Sequence, residues 1–331
     1  MLRLTSSRGN LASLDVLRGI AIISVLIAHF WPGGELPAPR SVIVLIAQFG
    51  VILFFFLSGF LMDLIYSSEQ KLVPFIIRRS FRILPMYWLS ILIIFATDRR
   101  WTLRDVVSNA FFATGPMHVT RMSGVYWTLY IEVLFYLTVP LVFFLGRRAI
   151  VFSPYVVLGL FGTLWLLGVR QSIAPHYLVY CYLGLQFGAW RRKIIGGRLL
   201  LTSVMAVVVV TTVLPLVSPF PEIVSPFLGA APLVCAILLF VALRFPFRAR
   251  PIEFMGDISY SLYLLHPIVY SQVGTIFLSY QHGGWIAAVA SIGFSVALSA
   301  VTLVFIERPT ITVGKGLIKR WQAWSTTLEL S

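Results

Sequence analysis

Long apolar stretches broken by short polar punctuation make up most of this chain. The apolar runs lie near 14–31, 42–66, 84–97, 125–145, 151–168, 176–190, 199–217, 224–244, 258–280 and 285–306. A helix needs roughly 20 apolar residues to cross a bilayer, so the pattern predicts an all-α integral membrane protein, a bundle of about ten transmembrane helices. The third and sixth runs are short and suit kinked or re-entrant segments, tolerable only where protein or a wet cavity covers the backbone.

Composition closes the alternative of a soluble fold. With 59% hydrophobic and 11% charged residues among 331, too few polar side chains exist to cover a water-facing surface. The first run carries Asp15 and Arg18 and ends in Ala28-His29-Phe30-Trp31 without an A-x-A-like cleavage site, so it reads as a retained span. Cys181 and Cys235 sit inside apolar runs without metal-ligand spacing, so no disulfide, redox centre or metal site is expected.

Charge sets the orientation. The net charge of +14 lies in short clusters between apolar runs, the distribution of cytoplasmic membrane loops, and nucleic-acid binding is not expected. When alternate loops are placed on one side, starting with the N-terminus, that side receives 20 of the 26 basic residues. The positive-inside rule then puts both termini in the cytoplasm. The opposite side holds Arg40, Arg99, Arg100, Arg104, Arg121 and Arg170, and its largest segment is the 98–124 connection. No linker or repeat divides the chain, which reads as one domain over 1–331 with a short basic cytoplasmic tail at 310–331.

Ionisable groups inside spans cost several kcal/mol unless paired or lining a cavity, which makes them candidate functional residues. Arg18 and His29 are eleven residues apart in the first run. At about 100° and 1.5 Å per residue they share a helix face, roughly 16 Å apart. Glu132 lies within Tyr126-Trp127-Thr128-Leu129-Tyr130-Ile131-Glu132, at a depth close to His29, where a carboxylate orients an imidazole or stabilises its protonated form. A structural hydrogen bond to Tyr136, one turn on, is the alternative for Glu132. Tyr263 and His266 stack at i and i+3 before Pro267, and for this lone buried histidine a structural role ranks first. Glu307 suits an end-of-helix ion pair with loop arginines. Arg78, Arg79 and Arg82 suit ordinary positive-inside topology, although forked arginine pairs also bind phosphates.

Taken together the segments resemble the acyltransferase-3 family of membrane O-acyltransferases, over about 14–309. The resemblance rests on Leu14-Asp15-Val16-Leu17-Arg18-Gly19 with His29; on the Gly50 to Leu61 segment containing Ser58; and on Arg79-x-x-Arg82 before Leu84-Pro85-Met86-Tyr87. It continues through the Trp127 to Tyr136 segment, the Ser259 to His266 segment, and Glu307-Arg308-Pro309. Thr128 stands where the family commonly has serine.

The resemblance implies transfer of an acyl group, usually acetyl, from cytoplasmic acyl-CoA as co-substrate to an acceptor hydroxyl. It implies a multi-pass protein of a bacterial-type cytoplasmic (inner) membrane, with membrane lipid around it and a polysaccharide or lipid-linked sugar as acceptor. In that light His29 resembles the catalytic histidine, with Glu132 behind it, and Arg18, Arg79, Arg82 and neighbouring Arg78 match donor-side positions. Asp15, Ser58, Tyr126, Trp127, Tyr136, Tyr263, His266 and Glu307 complete the candidate site. Three other readings stand beside this one: a small hydrophobic acceptor such as a macrolide, a proton-coupled transporter, and a scaffold packing through Gly184 and Gly188.

Overall fold

A computed structural model describes residues 8–30, 40–69, 71–167, 173–217, 228–277 and 283–330. The helices are α1 (Arg8–Phe30), α2 (Arg40–Glu69), α3 (Leu72–Thr97), α4 (Leu103–Ala110), α5 (Tyr126–Phe144), α6 (Arg147–Leu166) and α7 (Ile173–Arg191). They continue as α8 (Gly197–Val217), α9 (Ala231–Arg244), α10 (Arg250–Asp257), α11 (Ser259–Phe277), α12 (Gly283–Thr302) and α13 (Arg308–Leu330), with no strand among the described residues.

Each predicted apolar run coincides with a helix, and the predicted ends at 31, 168, 224–227 and 278–280 lie outside the described residues. Among those residues, six stretches are long and apolar enough to cross a membrane: α1, α2, α3, α5, α6, and the run through α12 into α13. Gly197–Val213 of α8 and Ala231–Arg244 of α9 are shorter apolar helices.

Two short runs gain length. α3 starts at Leu72 rather than near 84 and has 26 residues, carrying Pro85 inside it. Its arginines and proline make that stretch look like a boundary, but Arg82 is paired with buried Glu307 and Tyr260 donates to the Ile83 carbonyl at 2.6 Å, so the helix holds. α7 is an unbroken helix of 19 residues, about 28 Å at 1.5 Å per residue.

The basic tail is also helical. α13 has 23 residues and follows α12 through a π-helical turn, Leu303–Glu307, closed by the Arg308 N–H on the Leu303 carbonyl. In a regular α-helix the Pro309 ring would strike the carbonyl four residues earlier. The wider π turn accommodates it there.

The helices group into two units. Unit 1 comprises residues 1–68 and 131–257, and unit 2 comprises 69–130 and 258–331. In unit 1, α2 and α7 approach at backbone distance. A Cβ on Gly59 would strike the Cys181 carbonyl, one on Gly184 the Phe56 carbonyl, and one on Gly188 the Asp63 carboxylate. Small residues let membrane helices pack this closely. Gln186 of α7 ties the start of α6 with bonds to the Ile150 and Val151 carbonyls at 3.2 and 2.9 Å. Helix α10 packs on α1, and Ser13 accepts from the Phe247 N–H and donates to its carbonyl at 3.0 and 3.1 Å.

Unit 2 pairs α11 with α12 and lays α13 along α3, where a Cβ on Gly314 would crowd the Phe81 ring and Lys71 sits over the Trp321 ring. The connection between α3 and α5 is ordered. Thr102 and Asp105 form a reciprocal capping box for α4. Asn109 donates to the Asp105 and Thr120 carbonyls and accepts from Met122 N–H, replacing strand or helix partners for a backbone that would otherwise be unsatisfied. Phe112 turns the chain with φ +56° and stacks on Tyr87 at 4.7 Å.

Candidate active site

Helix α1 carries the aspartate, arginine and histidine of the first motif. His29 lies in its last turn, on the surface of unit 1 rather than in its core, and its Nδ1 is 2.9 Å from the Val25 carbonyl. A carbonyl only accepts, so Nδ1 is the protonated nitrogen and Nε2 carries the basic lone pair. That is the tautomer a general base needs at its outer nitrogen. Arg18, in the middle of the helix, forms an ion pair with Asp15 at 3.3 Å, both partly exposed.

Glu132 of α5 also belongs to unit 1. The Tyr136 hydroxyl donates to Glu132 Oε1, and Ser58 Oγ of α2 lies 3.4 Å from the same hydroxyl. With Tyr136 donating to the carboxylate, Ser58 donates to Tyr136, so three candidates form one chain, Ser58 to Tyr136 to Glu132. The structural bond foreseen between Glu132 and Tyr136 is present. It leaves the second carboxylate oxygen to act on something else.

In unit 2 the arginines sit on α3, and Arg78, Arg79 and Arg82 are each half-buried. Arg82 Nη1 is 3.4 Å from Glu307 Oε2, and its guanidinium lies over the Tyr260 ring at 6.0 Å. Glu307 is 1% exposed and also accepts from Ser261. The foreseen pair between Glu307 and an arginine exists, but inside a continuous helix rather than at a helix end, with the π turn holding the carboxylate. This arrangement gives Arg82 a role in neutralising a buried charge.

The start of α5 is bonded to both α3 and α11. Tyr126 donates to Ser90 at 2.8 Å, since Ser90 gives its proton to the Tyr87 carbonyl at 2.7 Å. Thr128 Oγ1 lies 2.8 Å from the Val125 carbonyl and 3.0 Å from the Tyr263 hydroxyl. His266 is buried with Nδ1 3.0 Å from the Leu262 carbonyl and its ring against Tyr263 at 5.9 Å. Trp127 is half-buried beside them in sequence.

A further ion pair with a buried carboxylate is not among the residues singled out in the sequence. Asp63 of α2, wholly buried, takes two bonds from Arg192, whose guanidinium also lies over the Phe143 ring at 5.8 Å. An acidic residue inside an apolar run was the available signal. His176 of α7 is a further buried group, ringed by Phe161, Tyr177 and Tyr180. Cys181 and Cys235 are buried free thiols, and among the described residues no three His, Cys, Asp or Glu side chains converge on a metal position.

Comparison with known proteins follows the same residues. The acyltransferase-3 family profile, described as an acyltransferase domain, matches residues 11–304. Nodulation protein 10 of Rhizobium leguminosarum bv. viciae is 25% identical, over 95% of this chain and 97% of that protein. The exopolysaccharide production protein ExoZ of Rhizobium meliloti (strain 1021) is 27% identical, over 80% of this chain and 90% of its own length. A putative acetyltransferase, ORF330, of Acidianus two-tailed virus is 22% identical over 78% and 83%. No solved structure matches.

Proposed function

Because the chain belongs to the acyltransferase-3 family, we propose that it is a multi-pass membrane O-acyltransferase that moves an acetyl group from cytoplasmic acyl-CoA to a hydroxyl of a cell-surface or lipid-linked polysaccharide. One relative is named for exopolysaccharide production, which favours a glycan acceptor over a small hydrophobic one. The observation that carries the reading is His29, exposed in the last turn of α1 with its Nδ1 held by the Val25 carbonyl.

The proposed reaction needs little more than that base, because a thioester is already activated. His29 Nε2 takes the proton of the acceptor hydroxyl as its oxygen attacks the thioester carbonyl carbon. The tetrahedral intermediate collapses with cleavage of the C–S bond, and the departing CoA thiolate recovers the proton from the imidazolium. Glu132, steadied by Tyr136, supports the protonated imidazole. Arg79 binds phosphate of the donor, with Arg18 and Arg78 as further cationic contributors. The polar and charged groups of the ten helices equally suit a proton carrier on composition, but family membership supports the enzyme.

Both termini are proposed to be cytoplasmic and the ten helices of the apolar runs, α1–α3, α5–α9, α11 and α12, to cross the bilayer, from the 20 to 6 division of basic residues. Purified protein in vesicles, given labelled acetyl-CoA and a candidate glycan, tests the assignment. His29→Ala is expected to insert normally and to lose about 10²–10⁴-fold in transfer rate, the usual worth of a general base. Transfer at the parent rate would remove His29 from the mechanism.

A further inference from the structure

Helix α4 folds back along α3 instead of standing away from it. The Tyr87 hydroxyl donates to the Asn109 carbonyl at 2.7 Å, and Trp88 Nε1 to the Ala110 carbonyl at 3.2 Å. Tyr87 and Trp88 precede the end of α3 at Thr97 by about 14 Å along the helix axis, at ~1.5 Å per residue. The eight residues of α4 span about 12 Å at the same rise, so α4 descends antiparallel to α3 and ends beside its middle.

The outer face of α4 is apolar. Leu103, Val107 and Phe111, at i, i+4 and i+8, are 71%, 50% and 72% exposed, while Ser108 and Asn109 on the opposite side are buried. On α3 the neighbouring Trp88 and Leu92, one turn apart, are 42% and 56% exposed. An apolar stripe of this kind on a water-facing loop would be costly. The backbone also meets the requirement for burial in lipid, where every polar group needs an internal partner. Phe111 N–H bonds to the Val107 carbonyl, Ala113 to Ser108, Met117 to Ala113 and Val119 to Thr114, and Asn109 serves three more groups.

Charge marks where the descent begins. Arg99, Arg100 and Arg104 are exposed at the turn between α3 and α4, level with the end of α3. Asp98 neutralises Arg100 at 2.6 Å, and Arg104 donates to the Met117 carbonyl. Arginines at this level meet the phosphates of lipid headgroups, with their stems along the apolar surface.

We propose that α4 is immersed in the leaflet at the C-terminal end of α3, with Leu103, Val107 and Phe111 against phospholipid acyl chains and Arg99 and Arg104 at the phosphates. The occupant of this face is bilayer lipid. The apolar stripe continues the lipid-facing surface of α3, and the cationic border matches anionic headgroups.

Collision measurements on nitroxide side chains test this directly and read no activity. The full-length protein, labelled singly at Arg99→Cys, Val107→Cys, Phe111→Cys or Leu92→Cys, is reconstituted in phosphatidylethanolamine and phosphatidylglycerol vesicles. The unsubstituted protein, whose thiols are buried, supplies the background signal. Oxygen partitions into hydrocarbon and a nickel chelate stays in water. The ratio of oxygen to nickel collision is expected to rise from Arg99 through Val107 to Phe111, reaching at Val107 the value found at Leu92 on α3. Labels at Val107 and Phe111 as open to nickel as Arg99 would overturn the proposal in favour of a water-facing loop. Labels shielded from both reagents would overturn it in favour of a second copy or another protein on this face.

Discussion

Arg79 and Arg82 lie one turn apart on α3, and Arg82 pairs with buried Glu307. Removing Arg82 leaves Glu307 buried without its cation, a change that costs about 3–5 kcal/mol when a buried pair is broken. Arg82→Ala is therefore expected to lower thermal stability in detergent, and adding Glu307→Gln should recover most of the loss. Arg79→Ala should raise the KM for acetyl-CoA, as measured by initial rates at varied donor. Glu132→Gln keeps an acceptor for Tyr136 and removes only charge, so a fall in kcat at unchanged KM is expected; equal kcat would reduce Glu132 to a structural partner. The sequence showed Arg18, His29, Glu132 and Glu307 because each breaks an apolar run. It could not show which arginine meets Glu307, since the partner arrives from a different helix and hydropathy carries no pairing information. Asp63 was visible by the same rule and was passed over, and its partner Arg192 looked like one of a loop cluster.

Helices were legible as apolar runs, and their ends were not. The start of α3 was hidden by three arginines and Pro85, whose partners on α11 and the π turn come from more than a hundred residues away. Within the 98–124 connection the Thr102 and Asp105 capping box could be read from spacing, whereas the descent of α4 depends on Tyr87 and Trp88 reaching back to it. Packing of α2 on α7 is testable at this scale. Gly184→Leu places a side chain where the Phe56 backbone lies, and with neither backbone able to yield it should lower the melting temperature and the yield of folded protein. Gly196→Leu, where nothing stands within 4 Å, should behave as the parent, and a parent-like Gly184→Leu would show that the two helices do not depend on that approach.

For the whole molecule, residue accessibility alters how the proposed orientation is best probed. Ser123 is buried despite its place in the longest connection, so a thiol there would report poorly. Arg99 and Lys319 are both exposed. A membrane-impermeant maleimide applied to intact cells should label Arg99→Cys and spare Lys319→Cys until the membrane is opened. The reverse would invert the protein and place the donor on the other face. Family and all-helical character were legible from the whole chain because the motifs occur in order, whereas the division into two units was not, each being assembled from two distant stretches.

The π turn at Leu303–Glu307 has a consequence for the length of the chain itself. It acts as one surplus residue, setting the rotational phase between α12 and everything after it. With that offset Glu307 meets Arg82 and Gly314 meets Phe81 in the same unit. The turn already takes up that one residue, so inserting another beside Val304 would turn the downstream face by about 100°, and both contacts would be lost together although neither residue had changed. A substitution such as Val304→Ala, at an exposed side chain, would leave the phase intact. This stretch should therefore tolerate changes of spelling and reject an added residue.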